Sequence, residues 1–310
     1  MSVDQDLMHP VFRELLGVPA DPDALPIEER SIEELREEFA TDMRNVDKEA
    51  PELDSVSDFV IPGPAGDIAA RAYAGSRATR GPTILFIHGG GFFRGSIATH
   101  DSICRVLAAE TGGVVVSVDY RRPPEDVFPA AVDDCYAALC WVSDNIADLG
   151  GDSKKLAVAG DSAGATQAAA LTIKARDEDG PAISDQILYY PSVDHASPER
   201  WESNTLFGVG YWLDSAPYCI ELYLPDEMMR TNPLASPLLA RSHAGLPPAY
   251  ICTAGFDPLR DQGSAYAEKL RASGVAVTYE NLDNMLHGFV SCRGLVEEAD
   301  AVIRRSIAAL

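Results

Sequence analysis

Over the first fifty residues the apolar positions recur at helical spacing. Ile32, Leu35, Phe39 and Met43 share one face of a helix. Ser31-Ile32-Glu33-Glu34 opens it with a capping-box pattern. A shorter helix is predicted over about 6–16, and Pro19, Pro22 and Pro26 mark the loop between the two. From about residue 55 the texture changes to strands. The candidates are 56–61, closed by Pro62-Gly63-Pro64, then 68–74, 83–87, 113–118, 156–159, 186–190, 249–253 and 277–282. Thr83-Ile84-Leu85-Phe86-Ile87 is a continuous run, as expected of a strand covered on both faces. Helical periodicity fills 103–110, 130–145, 164–176, 262–272 and 297–309. Strands alternating with helices predict an α/β fold, a parallel sheet with helices on both faces. Residues 194–245 break the alternation and are rich in Trp, Tyr, Leu and Pro. A connection that long predicts an insertion with its own helical structure, lying over the carboxyl ends of the strands. The chain contains no internal repeat and no low-complexity segment.

Two glycine-rich motifs sit where such a fold places chemistry. Gly160-Asp161-Ser162-Ala163-Gly164 follows the strand at 156–159 and opens a helix. That context is what a nucleophile elbow requires: small residues permit the tight turn, and the turn lifts the serine hydroxyl clear of the backbone. The helix N-terminus behind it favours developing negative charge. Taken alone the pattern is weak, since a glycine-rich strand-to-helix turn produces it too. His88-Gly89-Gly90-Gly91-Phe92, after the strand at 83–87, is far more specific. Its glycines let backbone N–H groups approach a carbonyl that becomes negative in an acyl-transfer transition state. A phosphate loop is excluded because no Lys-Ser/Thr follows and no GxGxxG spacing exists. Asp257 follows the strand at 249–253, and His287 follows the strand at 277–282. Ser162, Asp257, His287 is the chain order of a catalytic triad on this kind of sheet. Asp261 is the competing acid, disfavoured because it enters the next helix as a capping or surface charge.

Composition narrows the partners. The 310 residues are enough for one large α/β domain, or a core with a small accessory piece. Lys and Arg number 25 against 48 Asp and Glu, a formal charge of −23. Within residues 1–60 there are 5 basic and 17 acidic residues, 5 − 17 = −12. Nucleic acid as a partner is excluded, an anionic membrane surface would be repelled, and strongly anionic substrates meet a long-range penalty. The acidity serves solubility or reflects a saline habitat. No apolar run reaches a membrane span, and the N-terminus lacks the basic and apolar regions of a signal, so the expected location is cytoplasmic. The six cysteines form no CxxC or Cys/His cluster, so no zinc site is expected and the thiols read as free, reduced and buried.

Together these motifs resemble the hormone-sensitive-lipase-like esterases of the α/β-hydrolase superfamily, in the bacterial branch with a Gly-Asp-Ser-Ala-Gly elbow. His88–Phe92 with Gly95-Ser96, Asp119-Tyr120-Arg121, Pro124-Glu125, Phe128-Pro129-Ala130, the elbow, Asp257–Asp261 and His287-Gly288-Phe289 fall in the order of that family, over about residues 55–310. Two departures are visible. Ala165 stands where a further Gly is usual, and Arg122-Pro123 replaces Leu-Ala. The resemblance implies a mostly parallel eight-stranded sheet and a helical cap made of residues 1–50 and the insertion at about 194–245, over a catalytic domain of 51–310. It implies an oxyanion hole at Gly89, Gly90, Gly91 and Ala163, with the N–H groups of Gly90, Gly91 and Ala163 as donors. The expected activity is a serine carboxylesterase acting on short- to medium-chain acyl esters, with no cofactor and no metal. A small-molecule ester is the expected partner, and a homodimer is compatible with the family. The alternatives are an amide, carbamate or lactone hydrolase, a dehydratase, or a ligand-binding receptor on the same fold. Retention of His287 argues against the receptor.

Overall fold

The computed structural model describes residues 4–18, 25–75, 81–152, 154–211 and 213–310; Pro19 and Pro22 of the predicted loop lie outside them. A short 3-10 turn precedes α1 (Pro10–Leu16), and a second precedes α2 (Ile32–Val46). α2 begins where its capping box puts it. Ser31 Oγ accepts from the Glu34 N–H at 3.2 Å, and the Glu34 carboxylate accepts from the Ser31 N–H at 3.1 Å. Two donors left orphaned by the helix start are thereby satisfied.

The sheet follows in chain order: β1 (Ser55–Gly63), β2 (Gly66–Ala74), β3 (Thr83–Ile87), α3 (Asp101–Thr111), β4 (Val114–Asp119), α4 (Ala130–Leu149), β5 (Leu156–Asp161), α5 (Ala163–Asp177) and β6 (Asp185–Tyr189). After the insertion, with its short helices α6 (Glu202–Phe207) and α7 (Ala216–Tyr223), come β7 (Ala249–Phe256), α8 (Arg260–Ala272), β8 (Val277–Leu286) and α9 (Glu298–Ile307). The eight strands lie in the order β1-β2-β4-β3-β5-β6-β7-β8. β1 and β2 form an antiparallel hairpin, β2 is antiparallel to β4, and the remaining pairs are parallel. Strand alternation divides the core into two layers. Leu85 and Ile87 of β3 face the layer covered by α4, α5 and α8, whereas Ile84 and Phe86 face the layer covered by α3 and α9. Strand order reverses on the two sides of β3, so the loops after β3 and β5 splay apart and leave a crevice at their carboxyl ends.

β7 and β8 run further than their hydrophobic patterns indicate, ending at Phe256 and Leu286. The sequence underestimates them because β8 is half-exposed and carries Asp283 and Asn284, and because a register irregularity falls between Ala254 and Phe256. The consequence is that Asp257 and His287 follow their strands directly.

Residues 1–50 divide between two environments. Met8 and Phe12 are buried in the sheet layer of α3 and α9, and the His9 N–H donates to Asn284 O at 2.8 Å. α2 instead buries Leu35 against Phe93 and Cys219, with Ile27, Ile32, Tyr218 and Leu222 around them. Arg36 fastens it: Nε donates to Phe93 O at 2.8 Å, and both terminal nitrogens hold the Glu125 carboxylate at 2.8 Å. Leu35→Ala opens this contact without touching Met8 or Phe12. It is expected to lower kcat/KM on p-nitrophenyl butyrate about tenfold, because a loosened wall displaces the loop that follows β3. Activity and circular dichroism measured together check this. Equal loss of both would make α2 an ordinary part of the core.

Among the described residues, no helix is long and apolar enough to cross a membrane. All six cysteines are unpaired, five of them buried and Cys140 half-buried.

Candidate active site

The β5–α5 turn is built to present one side chain. Ser162 has φ 52 and ψ −119, a strained backbone for a residue with a side chain. The neighbouring glycines make the turn sterically possible. A Cβ on Gly164 would overlap Ile87 O, and one on Gly160 would come within 2.5 Å of the Gly164 carbonyl. Register brings Gly160 of β5 opposite Ile87 of β3, so the serine and the glycine loop emerge side by side.

The three sequence-predicted residues meet there. His287 Nε2 lies 2.8 Å from Ser162 Oγ, and His287 Nδ1 lies 2.8 Å from Asp257 Oδ2. Asp257 is completely buried and His287 is 7% exposed, while Ser162 is half-buried. The second carboxylate oxygen of Asp257 accepts the Leu259 N–H at 2.7 Å. Both oxygens are therefore occupied as acceptors, which fixes the carboxylate plane and leaves Nδ1 of His287 as the protonated nitrogen. Tyr190 packs edge-on against the imidazole, with centroids 4.8 Å apart. Asp261 stands apart from this chain of contacts. Its carboxylate accepts the Ser203 N–H at 2.8 Å and pairs with Arg260 at 2.9 Å, tying α6 of the insertion to the start of α8.

Gly90 and Gly91 adopt φ 117 and 62, which directs their backbone away from the regular path of the strand. Among the described residues neither N–H has a backbone acceptor. Ala163, as the first residue of α5, also has an N–H with no intrahelical partner. All three N–H groups belong to the two turns, after β3 and β5, that flank Ser162. Gly89 has a different job. Its N–H, expected at the oxyanion hole, is committed to the Asp161 carboxylate at 2.9 Å, so Gly89 is not a free donor like Gly90 and Gly91.

The anchoring residues are what the sequence reading missed. Asp161 is buried in the elbow and faces His100 Nε2 at 3.1 Å as well as Gly89. Burial would raise its carboxyl, but His100 and the Gly89 N–H together hold it below the usual carboxylate range. On the other side, Tyr120 donates to His88 O at 2.8 Å, and the His88 ring stacks on Tyr120 with centroids 4.4 Å apart. Burial lowers the pKa of His88, favouring the neutral ring. Arg122, one of the two departures from the family pattern, pairs with Asp119 at 3.1 Å and donates to Gly95 O, closing the far end of the loop. Asp161, Tyr120 and Arg122 were all visible in motifs; only their partners were not. His100 carries no sequence signal at all.

The insertion touches the glycine loop after β3. Tyr223 of α7 stacks on Phe92 with centroids 3.9 Å apart, and Cys219 faces Gly91. A nucleophile, an oriented imidazole and unspent N–H donors form the minimal set for acyl transfer through a covalent intermediate. Among the described residues no cluster of His, Cys, Asp or Glu is arranged to hold a metal ion.

Comparison with known proteins agrees with this chemistry. Residues 84–291 match the family described as the alpha/beta hydrolase fold. The chain is 40% identical over 273 residues to the esterase LipI of Mycobacterium tuberculosis, covering 84% of this chain and 82% of that one. It is 41% identical over 234 residues to the carboxylesterase NlhH of the same species, covering 74% and 73%. Among solved structures, the Pyrobaculum calidifontis esterase superposes with a TM-score of 0.86 at 36% identity, over 97% of each chain.

Proposed function

This chain belongs to the hormone-sensitive-lipase-like esterases of the α/β-hydrolase superfamily and is a carboxylic ester hydrolase, and from that premise we propose that Ser162 is its nucleophile, His287 its general base and acid, and Asp257 the group that orients His287. The observation that carries the assignment is the unbroken chain from Ser162 Oγ through both nitrogens of His287 to Asp257, 2.8 Å at each step.

In this reading His287 Nε2 takes the Ser162 proton as Oγ attacks the ester carbonyl. The tetrahedral oxyanion is held by the N–H groups of Gly90, Gly91 and Ala163. Asp257 keeps the proton on Nδ1 and stabilises the imidazolium, without itself being protonated. His287 then protonates the departing alcohol, and an acyl-enzyme on Ser162 remains. Water enters, His287 accepts its proton, and attack on the acyl carbon returns the free carboxylic acid and the serine. Labelling with a p-nitrophenyl alkylphosphonate tests the nucleophile directly. One equivalent of the phosphonyl group is expected on the peptide holding Ser162, and labelling elsewhere would refute the assignment.

The proposed substrates are short- to medium-chain acyl esters. α2 and the insertion form the proposed cap, and the contacts of Tyr223 with Phe92 and of Cys219 with Gly91 support a closed ceiling above the glycine loop. Each added methylene contributes about 0.8 kcal/mol only until such a pocket is full. A chain-length series of p-nitrophenyl esters, each below its aggregation limit, is expected to give a kcat/KM maximum near about four to six carbons and a steep fall by about twelve. An optimum at twelve or longer, or a rate jump on emulsified triglyceride, would overturn the proposed depth.

A further inference from the structure

Arg94 belongs to the loop that carries the oxyanion glycines, and its own N–H donates to Gly90 O at 2.9 Å. Its side chain lies where that loop meets the two cap segments. The guanidinium carbon is 4.8 Å from the Phe93 ring centroid and 5.2 Å from that of Phe39 on α2. Nη2 is 3.5 Å from Ser215 Oγ, just before α7. A Cβ placed on Gly91 would lie 3.5 Å from the same Nη2, so the charge abuts one of the proposed oxyanion donors.

This cation is not neutralised. No ion pair joins Arg94 to a carboxylate of the described residues, and its buried Nε has no hydrogen-bond partner. Other half-buried arginines, such as Arg36 with Glu125, Arg71 with Asp58 and Arg121 with Asp134, hold carboxylates at 2.5 to 2.8 Å. With 48 acidic residues against 25 basic ones, the exception does not arise from a shortage of acids. Asp42 senses Arg94 beyond ion-pair range, and burial together with Glu38 pushes the Asp42 carboxyl up despite it. The two aromatic faces compensate the charge in part, and the guanidinium reaches the neutral Ser215 Oγ and Cys219 thiol, while Nε is left without a partner. A planar fork of donors matches a carboxylate.

Building on the reading of Ser162 as the nucleophile, we propose that Arg94 binds a carboxylate carried by the substrate a few bonds from the scissile ester. The substrate class is then an ester that keeps one free acid group: a hemiester of a short dicarboxylic acid, or the ester of a hydroxy acid. The chemistry at Arg94 is the same in both, and they differ in whether the acid lies on the acyl or the alcohol side. The overall charge of −23 opposes any anion at long range, but salt screens that field over about 8 Å, whereas contact with Arg94 is local.

The experiment measures kcat/KM on two matched pairs. Monoethyl glutarate against ethyl valerate, followed by acid release, places the carboxylate on the acyl side. Sodium 4-butyryloxybenzoate against 4-butyryloxybenzamide, followed by phenol release, places it on the alcohol side. For one pair, Arg94→Met is expected to lower the charged-to-neutral ratio about 10- to 100-fold, mainly through KM. Arg94→Lys, which keeps the charge without the fork, should restore part of it. An unchanged ratio in both pairs would overturn the proposal, even if absolute rates fell, and would leave Arg94 as a brace between loop and cap. Failure of the wild-type protein to hydrolyse either neutral ester in a Ser162-dependent way would overturn the site reading itself, and this proposal with it.

Discussion

Ser162→Ala is expected to lose about 10³-fold or more in kcat on p-nitrophenyl butyrate, with little change in melting temperature. The loss follows from the single role proposed for the hydroxyl: no acyl-enzyme forms without Oγ, so the burst phase should vanish along with turnover. The residual rate is what the N–H donors of Gly90, Gly91 and Ala163 and substrate binding supply on their own. Stability is preserved because the turn depends on backbone groups that alanine retains. The Ser162 N–H still donates to Tyr189 O at 2.9 Å, and Ser162 O still accepts the Thr166 N–H at 3.1 Å. The substitution removes the hydrogen bond between Oγ and His287, at the edge of the crevice where water can take its place. A variant that kept a tenth of wild-type turnover would remove Ser162 as the nucleophile.

The strands and the candidate site residues proposed at their ends were legible because their signals are local. β3 reads as a five-residue apolar run, and α2 announces itself through Ser31 and Glu34. Ser162, His287 and Asp257 could be picked out because each follows a strand whose pattern is visible, although β7 and β8 prove longer than that pattern. What stayed hidden is pairwise. Gly89 looks like its neighbours in a run of three glycines, and only the fold shows its N–H spent on a carboxylate 72 residues away. A comparably long separation from Asp161 hides His100, which stands just before α3 with no motif around it. Arg94 looks like one cation among 25, and its lack of a counter-charge appears only when its surroundings are assembled. The division of residues 1–50 was equally invisible. Phe12 and Leu35 are both apolar helix residues, yet one enters the sheet core and the other the contact with α7.

Two carboxylates stand four positions apart after β7, and replacing each by its amide is expected to separate them by orders of magnitude. Asp257→Asn should lower kcat about 10³- to 10⁴-fold. Both oxygens of Asp257 accept hydrogen bonds, one from the Leu259 N–H and one from His287 Nδ1. An amide offers only one acceptor. If its oxygen stays with Leu259, its NH2 group faces Nδ1, and the imidazole must place its proton on Nε2 to accept it. Nε2 then cannot take the Ser162 proton. If the amide flips, an N–H is driven against the Leu259 N–H in a fully buried site, which costs the desolvation of an unsatisfied donor. The first arrangement removes the general base and the second is disfavoured by that cost, while Ser162 and its donors stay in place. Asp261→Asn should cost less than about tenfold, because the amide oxygen can still accept the Ser203 N–H and the Arg260 pair is partly exposed. Its effect should fall on the anchoring of α6, seen as faster proteolysis of the insertion rather than as a change in the burst. The comparison uses kcat from single-turnover kinetics on the same ester for both variants. The reverse ranking would transfer the orienting role to Asp261 and would mean that the 2.8 Å contact between Asp257 and His287 does not persist in the working enzyme.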